Sequence, residues 1–209
     1  MIPDNIIANA DDFGFDEVIS DAIILSYQQG LINSTSMIVN SGYFDDAVVL
    51  IKQNPIVKNI GVHINLTLGR PLTNINNRFL DKYGCWNPLV TNRFLNLYPS
   101  RTSEVFFAEI CTQIERLLEQ GIEVNHLDSH HHVHILPCYI ALFMRAAKKY
   151  NLKLRLAQTR GSGNLFKHLY RQEINRHIFN ENLHYHPILS ILALLISITM
   201  ISKQPVWLN

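Results

Sequence analysis

Between residues 5 and about 156, short apolar runs alternate with segments of helical period, and few folds satisfy that pattern. Residues 5–10 (NIIANA) form an apolar run closed by two aspartates and read as a buried strand. Residues 18–29 carry apolar side chains at near-helical spacing and stop at Gly30. Residues 34–39 read as a second strand, 43–52 as a helix broken by Asn54-Pro55, and 60–66 as a third strand. Ser103 caps an amphipathic helix over 104–120, closed by Gly121. Residues 122–127 then read as a fourth strand, 137–150 as a helix opened by Pro137, and 152–156 as a fifth strand. Such alternation predicts right-handed βαβ units and a parallel sheet or barrel, with functional groups at the C-terminal ends of the strands.

Polar clusters fall at three of those ends: Asp11-Asp12, His63, and the segment 128–134. Of the ten histidines, five lie between His126 and His134, a concentration that asks for a chemical cause. If the chain stays extended there, His126, Asp128, His130, His132 and His134 share one face and His131 points away. Converging imidazoles repel when protonated and are expensive to bury, unless a cation organises them; neutral imidazole is also the commonest side-chain metal ligand. Read alone, His63 is a core histidine in an apolar strand, and Asp12 is a turn cap beside a solvated Asp11. Read together, the clusters supply two histidines and a carboxylate with positions left open, the layout of a catalytic metal rather than a closed structural one. A second, uncoordinated carboxylate would serve as base.

Charge and composition narrow the partners. With 18 basic and 17 acidic residues the formal charge is +1, and no basic stripe interleaved with aromatics argues for nucleic acid or an anionic membrane. Three cysteines without CxxC spacing give no disulfide framework and no zinc knuckle. The first residues lack a basic, then apolar, leader, so a reducing cytoplasm is the expectation. Residues 67–102 hold Gly69, Pro71, Gly84, Pro88 and Pro99 without sustained period, as a substrate loop or lid would.

The motifs NADDFG (9–14), STSMIVN (34–40), GVHINLTLGRPL (61–72) and HLDSHHHVH (126–134), in that order, resemble the YdjC-like carbohydrate deacetylases, a family that includes chito-oligosaccharide and hopanoid-biosynthesis deacetylases. The similarity extends over residues 5 to about 156. It implies an α/β fold, an incomplete or distorted (β/α) barrel of the glycoside hydrolase/deacetylase type. It also implies removal of an N-acetyl group from an amino sugar or chitin-derived oligosaccharide. By position Asp12, His63 and His130 match the metal ligands and Asp11 the catalytic base. The family metal is magnesium, although two imidazoles suit zinc, manganese or cobalt at least as well. His132 and His134 are candidates to orient substrate. Arg70 and Arg155 are candidates for sugar hydroxyls or a phosphate, Arg155 reading more simply as a solvated strand-end charge. A small-molecule or oligosaccharide substrate is the expected partner, with a homodimer left open.

The C-terminal part departs from the family pattern. The expected division is a barrel core over 1–160 and a divergent tail over 161–209, starting at the Gly161-Ser162-Gly163 break. A polar, helical-looking stretch reaches about Asn182, and residues 187–202 form an uncharged apolar run. That run is short for a membrane span, so a helix is favoured over a membrane-associated tail. His186-Pro187 offers the family's general-acid dipeptide unusually soon after the fifth strand. The alternatives are therefore a metal-binding but inactive truncated remnant, or phosphoester hydrolysis, which would normally ask for a second metal and more carboxylates.

Overall fold

The computed structural model describes residue 2 and residues 6–158, 164–185 and 189–190. Strands β1 (Ala8–Phe13), β2 (Ser34–Met37) and β3 (Ile60–Ile64) alternate with helices α1 (Glu17–Gln28) and α2 (Phe44–Gln53). After a long loop with a short helix α3 (Pro88–Thr91) come α4 (Ser100–Leu118), β4 (Val124–Ser129), α5 (Ile140–Tyr150) and β5 (Lys153–Arg155). Helix α6 (Leu165–Asn180) and the two-residue strands β6 (His184–Tyr185) and β7 (Leu189–Ser190) complete the order. All neighbours pair in parallel, in the order β6-β5-β4-β3-β2-β1-β7.

Local chemistry explains most boundaries. Asp16 accepts a hydrogen bond from the Ile19 amide at 2.8 Å and so caps α1. Asn151, in the left-handed region at φ 54°, ends α5. Three expectations need correction. Ser103 is not a cap: α4 starts at Ser100, one turn earlier, directly after Pro99. Pro137 does not open α5, which begins at Ile140. Strands β1 and β4 run further than expected and carry Asp11, Asp12 and Asp128 inside the sheet rather than after it.

The register sorts the strand residues onto two faces. On one, Ala10, Met37, Ile60, Val62, Ile64, Leu127 and Leu154 join the hydrophobic core under the helices. On the other lie Asn9, Asp11, Ser34, Ser36, Gly61, His63, His126, Asp128 and Arg155, and the side chains on this face are buried too. Buried polar groups must be hydrogen-bonded, so this face is a network rather than a surface. Ile174 and Ile178 of α6 pack into the same core.

Gly61 is required by that crowded face. A Cβ on it would stand 2.2 Å from Nε2 of the fully buried His126 ring. Gly61→Ala is therefore expected to cost about 1–3 kcal/mol in a thermal or urea unfolding experiment. In a His126→Ala background the same substitution should cost much less, because the obstacle is gone. Equal losses in both backgrounds would mean the ring is not what excludes the methyl.

Two expectations for the C-terminal residues meet the described region only in part. Leu189 and Ser190 are strand, paired with Ala8 and Asn9, where a helix was expected. The rest of the apolar run and His186 lie outside the described residues. No helix among the described residues is long and apolar enough to cross a membrane.

Candidate metal centre

The end of β1 solves a geometric problem. Adjacent strand residues point to opposite faces, yet Asp11 and Asp12 reach the same cluster of side chains. The pairing with β2 slips between Ala10 and Phe13, and Asp12 sits at φ 70°. Such a backbone is strained for most L residues and tolerated by Asp or Asn. The irregularity turns the Asp12 carboxylate toward β3 and β4, while Asp11 keeps the parity of Asn9.

Asp12 Oδ1 lies 3.1 Å from His63 Nε2 and 2.7 Å from His130 Nδ1. The opposite nitrogen of His63 donates to Asp128 Oδ1 at 2.6 Å. Asp128 is held in turn: Ser36 Oγ donates to its Oδ2 at 3.0 Å and Arg155 Nη1 at 3.1 Å. Asn9 Nδ2 donates to Ser36 Oγ at 3.3 Å and to Asp11 Oδ1 at 2.8 Å. Arg155 Nη1 also lies 2.8 Å from each oxygen of Asp11. Arg155 is only 8% exposed, so the reading of it as a solvated strand-end charge is overturned. A carboxylate behind a histidine fixes its tautomer and aims the free nitrogen, here Nε2 toward Asp12.

The histidine segment does not stay extended. Strand β4 stops at Ser129, and residues His130–Ile135 form a tight turn with His131 and His132 in the left-handed region. Shared parity therefore ends at the strand. His130 swings to Asp12 and stacks on Phe15 with ring centroids 6.1 Å apart, while His131 Nδ1 lies 3.1 Å from Thr67 Oγ1. His132 packs edge-on to His134, and the buried His134 has Nδ1 2.7 Å from Ser129 Oγ. His126 is buried under the cluster and does not join it; burial pulls its pKa down to about 4.

Electrostatics favour a cation at this point. Three carboxylates (Asp11, Asp12, Asp128) face one guanidinium, so with neutral imidazoles the cluster carries two net negative charges, which one divalent ion would balance. The ligand atoms of Asp12, His63 and His130 all lie within 4.8 Å of one another. Asp11, His63 and Asp128 satisfy the same distance test, but Arg155 already bridges those two carboxylates, which makes that group an ion-pair network. Burial pushes the Asp12 carboxyl up, but its contacts with His130 and His63 hold it well below the usual carboxylate range. Asp128 behaves alike, burial being outweighed by His63 and Arg155. Burial also disfavours the His63 imidazolium, yet Asp128 and Asp12 together push its pKa up to about 10.

That last shift has a measurable consequence. Without metal, protonated His63 stabilises the fold fully below its unfolded value of 6.5, and the contribution is lost as pH rises through about 10. Its nitrogen can bind an ion only after losing the proton. Metal uptake at pH 7 is thus expected to release about one proton, read by titration calorimetry in buffers of different ionisation enthalpy. No buffer dependence would mean that His63 is already neutral or is not a ligand.

Other residues fall outside this cluster. The Arg70 side chain is exposed, and its carbonyl accepts from Asn40 Nδ2 at 3.1 Å. Sequence reasoning missed the scaffold behind the 67–73 loop. The buried Glu109 carboxylate accepts from the Leu72 and Thr73 amides, Thr73 Oγ1 and Gln113 Nε2. Gln113 in turn brackets the Asn65 backbone from both sides. It also missed Asn9, Ser36 and the part played by Asp128, although polar residues at every second position of otherwise apolar strands were a visible signal.

Residues 5–192 match the family described as YdjC-like protein. A protein named carbohydrate deacetylase from Vibrio campbellii is 38% identical over 152 residues, covering 72% of this chain and 58% of that protein. One of the same name from Oceanobacillus iheyensis is 32% identical, over 72% of this chain and 64% of its own length. The chain thus spans little more than half the length of the Vibrio relative. A solved structure from Enterococcus faecalis, assigned as a candidate cellobiose-phosphate cleavage protein, superposes with a TM-score of 0.67 over 96% of this chain and 76% of its own. At 24% identity that likeness shows the fold alone.

Proposed function

Because this chain belongs to the YdjC-like protein family, we propose that it is a metal-dependent deacetylase that removes the N-acetyl group of an amino sugar or chito-oligosaccharide. The observation that carries this reading is the convergence of Asp12 with His63 and His130, backed by the Asp128 carboxylate behind His63. Asp12, His63 and His130 would hold a divalent ion. Magnesium is the family's metal, but a donor set of two nitrogens and one oxygen suits zinc, manganese or cobalt at least as well.

When bound, such an ion supplies Lewis-acid polarisation of the acyl carbonyl and eases deprotonation of a water in the site. The chain's own residues do the rest. Asp11 is the proton acceptor, and its carboxylate is held in place by Arg155 and Asn9. Asp128 and Ser36 keep the His63 ring from rotating, and Phe15 does the same for His130. Thr67, on the loop after β3, fixes His131 and with it the rim of the site. His132, His134 and Arg70 remain the candidate substrate contacts.

The same reading takes the sheet as an incomplete (β/α) barrel. A flat seven-stranded sheet would be about 29 Å wide at ~4.8 Å per interval. Yet Tyr185 and Leu189, on strands at opposite ends of the order, are four residues apart, a span of at most about 14 Å. So short a link supports a curled sheet, as an incomplete barrel would have.

The test is acetate release from diacetylchitobiose by protein reconstituted in turn with magnesium, zinc, manganese and cobalt. Release that disappears on chelation and in Asp11→Ala supports the reading. Metal uptake without turnover under every condition would count against an enzyme.

A further inference from the structure

Beside the metal cluster, a cavity of about 340 Å³ opens along the end of β5, with His132, His134, Arg155, Gln158 and Arg171 in its wall. His134 is 1% exposed, and its Nε2 has no hydrogen-bond partner among the described residues. The tautomer follows from Ser129. Its Oγ accepts from the His134 amide at 2.9 Å and otherwise meets, among the described residues, only His134 Nδ1, at 2.7 Å. If the hydroxyl donates to Nδ1, Ser129 is satisfied and the ring proton sits on Nε2. The opposite tautomer would leave both the hydroxyl proton and the Nε2 lone pair without partners. His134 therefore carries a buried N–H with no acceptor among the described residues; its ring helps to wall the cavity, while the nitrogen itself is shielded from it.

The charges around the cavity are not all balanced. Arg155 is balanced by Asp11 and Asp128 through Nη1. Arg171 faces no carboxylate among the described residues; its one hydrogen bond, 3.0 Å long, goes to the Gln158 carbonyl. The wall thus holds one uncompensated guanidinium, Arg171, beside the balanced Arg155. A singly charged, planar acceptor group matches that set, since a guanidinium pairs with a carboxylate through two parallel hydrogen bonds. Arg155, shared by the cavity wall and the cluster, places this space next to the reacting groups.

We propose that this cavity is a carboxylate subsite and that it receives the acetate left when the amide C–N bond is hydrolysed. The identity of the acid rests on the deacetylase reading; the binding of a carboxylate does not. In that reaction the carbonyl carbon gains an oxygen from water, the C–N bond breaks, and the amine leaves with a proton. At neutral pH the acid is an anion, of the charge the cavity would balance.

The experiment uses the whole chain stripped of metal with a chelator, so that no carboxylate can bind an ion. Acetate binding is followed by saturation-transfer NMR of its methyl protons, with chloride and inorganic phosphate as competitors. Saturable binding is expected, displaced by formate and not by chloride, and weakened at least about tenfold in Arg171→Gln. Arg171→Gln changes a partly exposed position, so the fold should survive it. Unchanged affinity in Arg171→Gln, or no saturable binding to the stripped protein, overturns the subsite. Phosphate displacing acetate at lower concentration overturns the carboxylate assignment in favour of a phosphate site. Acetate binding without any acetate release would leave the subsite standing and sink the deacetylase reading alone.

Discussion

Asp12→Asn is expected to weaken divalent-metal binding more than about a hundredfold and to abolish acetate release with it. Loss of a residue that merely orients a ligand typically costs 10–100-fold in metal affinity. Asp12 stands closer than that, within 3.1 Å of both imidazoles. Asparagine preserves its shape and tolerates the left-handed backbone at φ 70°, so the fold should survive. What disappears is one of three negative charges around the centre, and the amide oxygen left facing His63 and His130 is a much weaker metal ligand than a carboxylate. Titration calorimetry or equilibrium dialysis of the variant gives the answer. Metal affinity within a few-fold of the parent would remove Asp12 from the ligand set.

Arg155→Met should destabilise the metal-free protein by roughly 3–5 kcal/mol. Removing one partner of a buried ion pair leaves the other charge uncompensated, and that penalty exceeds the value of the pair itself. Here one cation serves two carboxylates, Asp11 and Asp128, the second of them fully buried. Urea unfolding monitored by circular dichroism measures the loss. Saturating divalent metal should recover part of it, because a bound ion supplies positive charge to the same cluster. A loss near the ~0.5 kcal/mol of an ordinary surface substitution would show that the network carries little of the stability. No recovery with metal would separate the network from the metal centre.

The roles of these two residues were unequally legible in the sequence. Asp12 lies in a visible motif, two carboxylates closing an apolar run; alone it reads as a turn cap, and the family resemblance assigns it to the metal. Arg155 gave no such sign. It closes a three-residue strand that also opens on a cation, Lys153, and a cation at a strand end is ordinarily solvated. Only the parallel register, which puts β5 beside β4 and aims Arg155 at the face carrying Asp128, makes it the counter-ion of the site. The histidine segment misled for a related reason. Alternation predicts one shared face past Ser129, but the chain turns at His131 and His132 through left-handed backbone, which periodicity cannot anticipate.

The alternation of apolar runs and helical segments, and the placing of acidic and imidazole groups at strand ends, were determined by the sequence alone. Both depend on neighbours within a few residues, where burial and backbone propensity act directly. The assembly of Asn9, Asp11, Ser36, His63, Asp128 and Arg155 into one buried network was decided only by the tertiary structure. These residues come from five strands up to 146 positions apart in number (Asn9 to Arg155), and no local preference links them. What brings them together is the in-register pairing of parallel strands, which sends every second side chain to one face. Once that face is buried, each polar group on it must find its partner among the others.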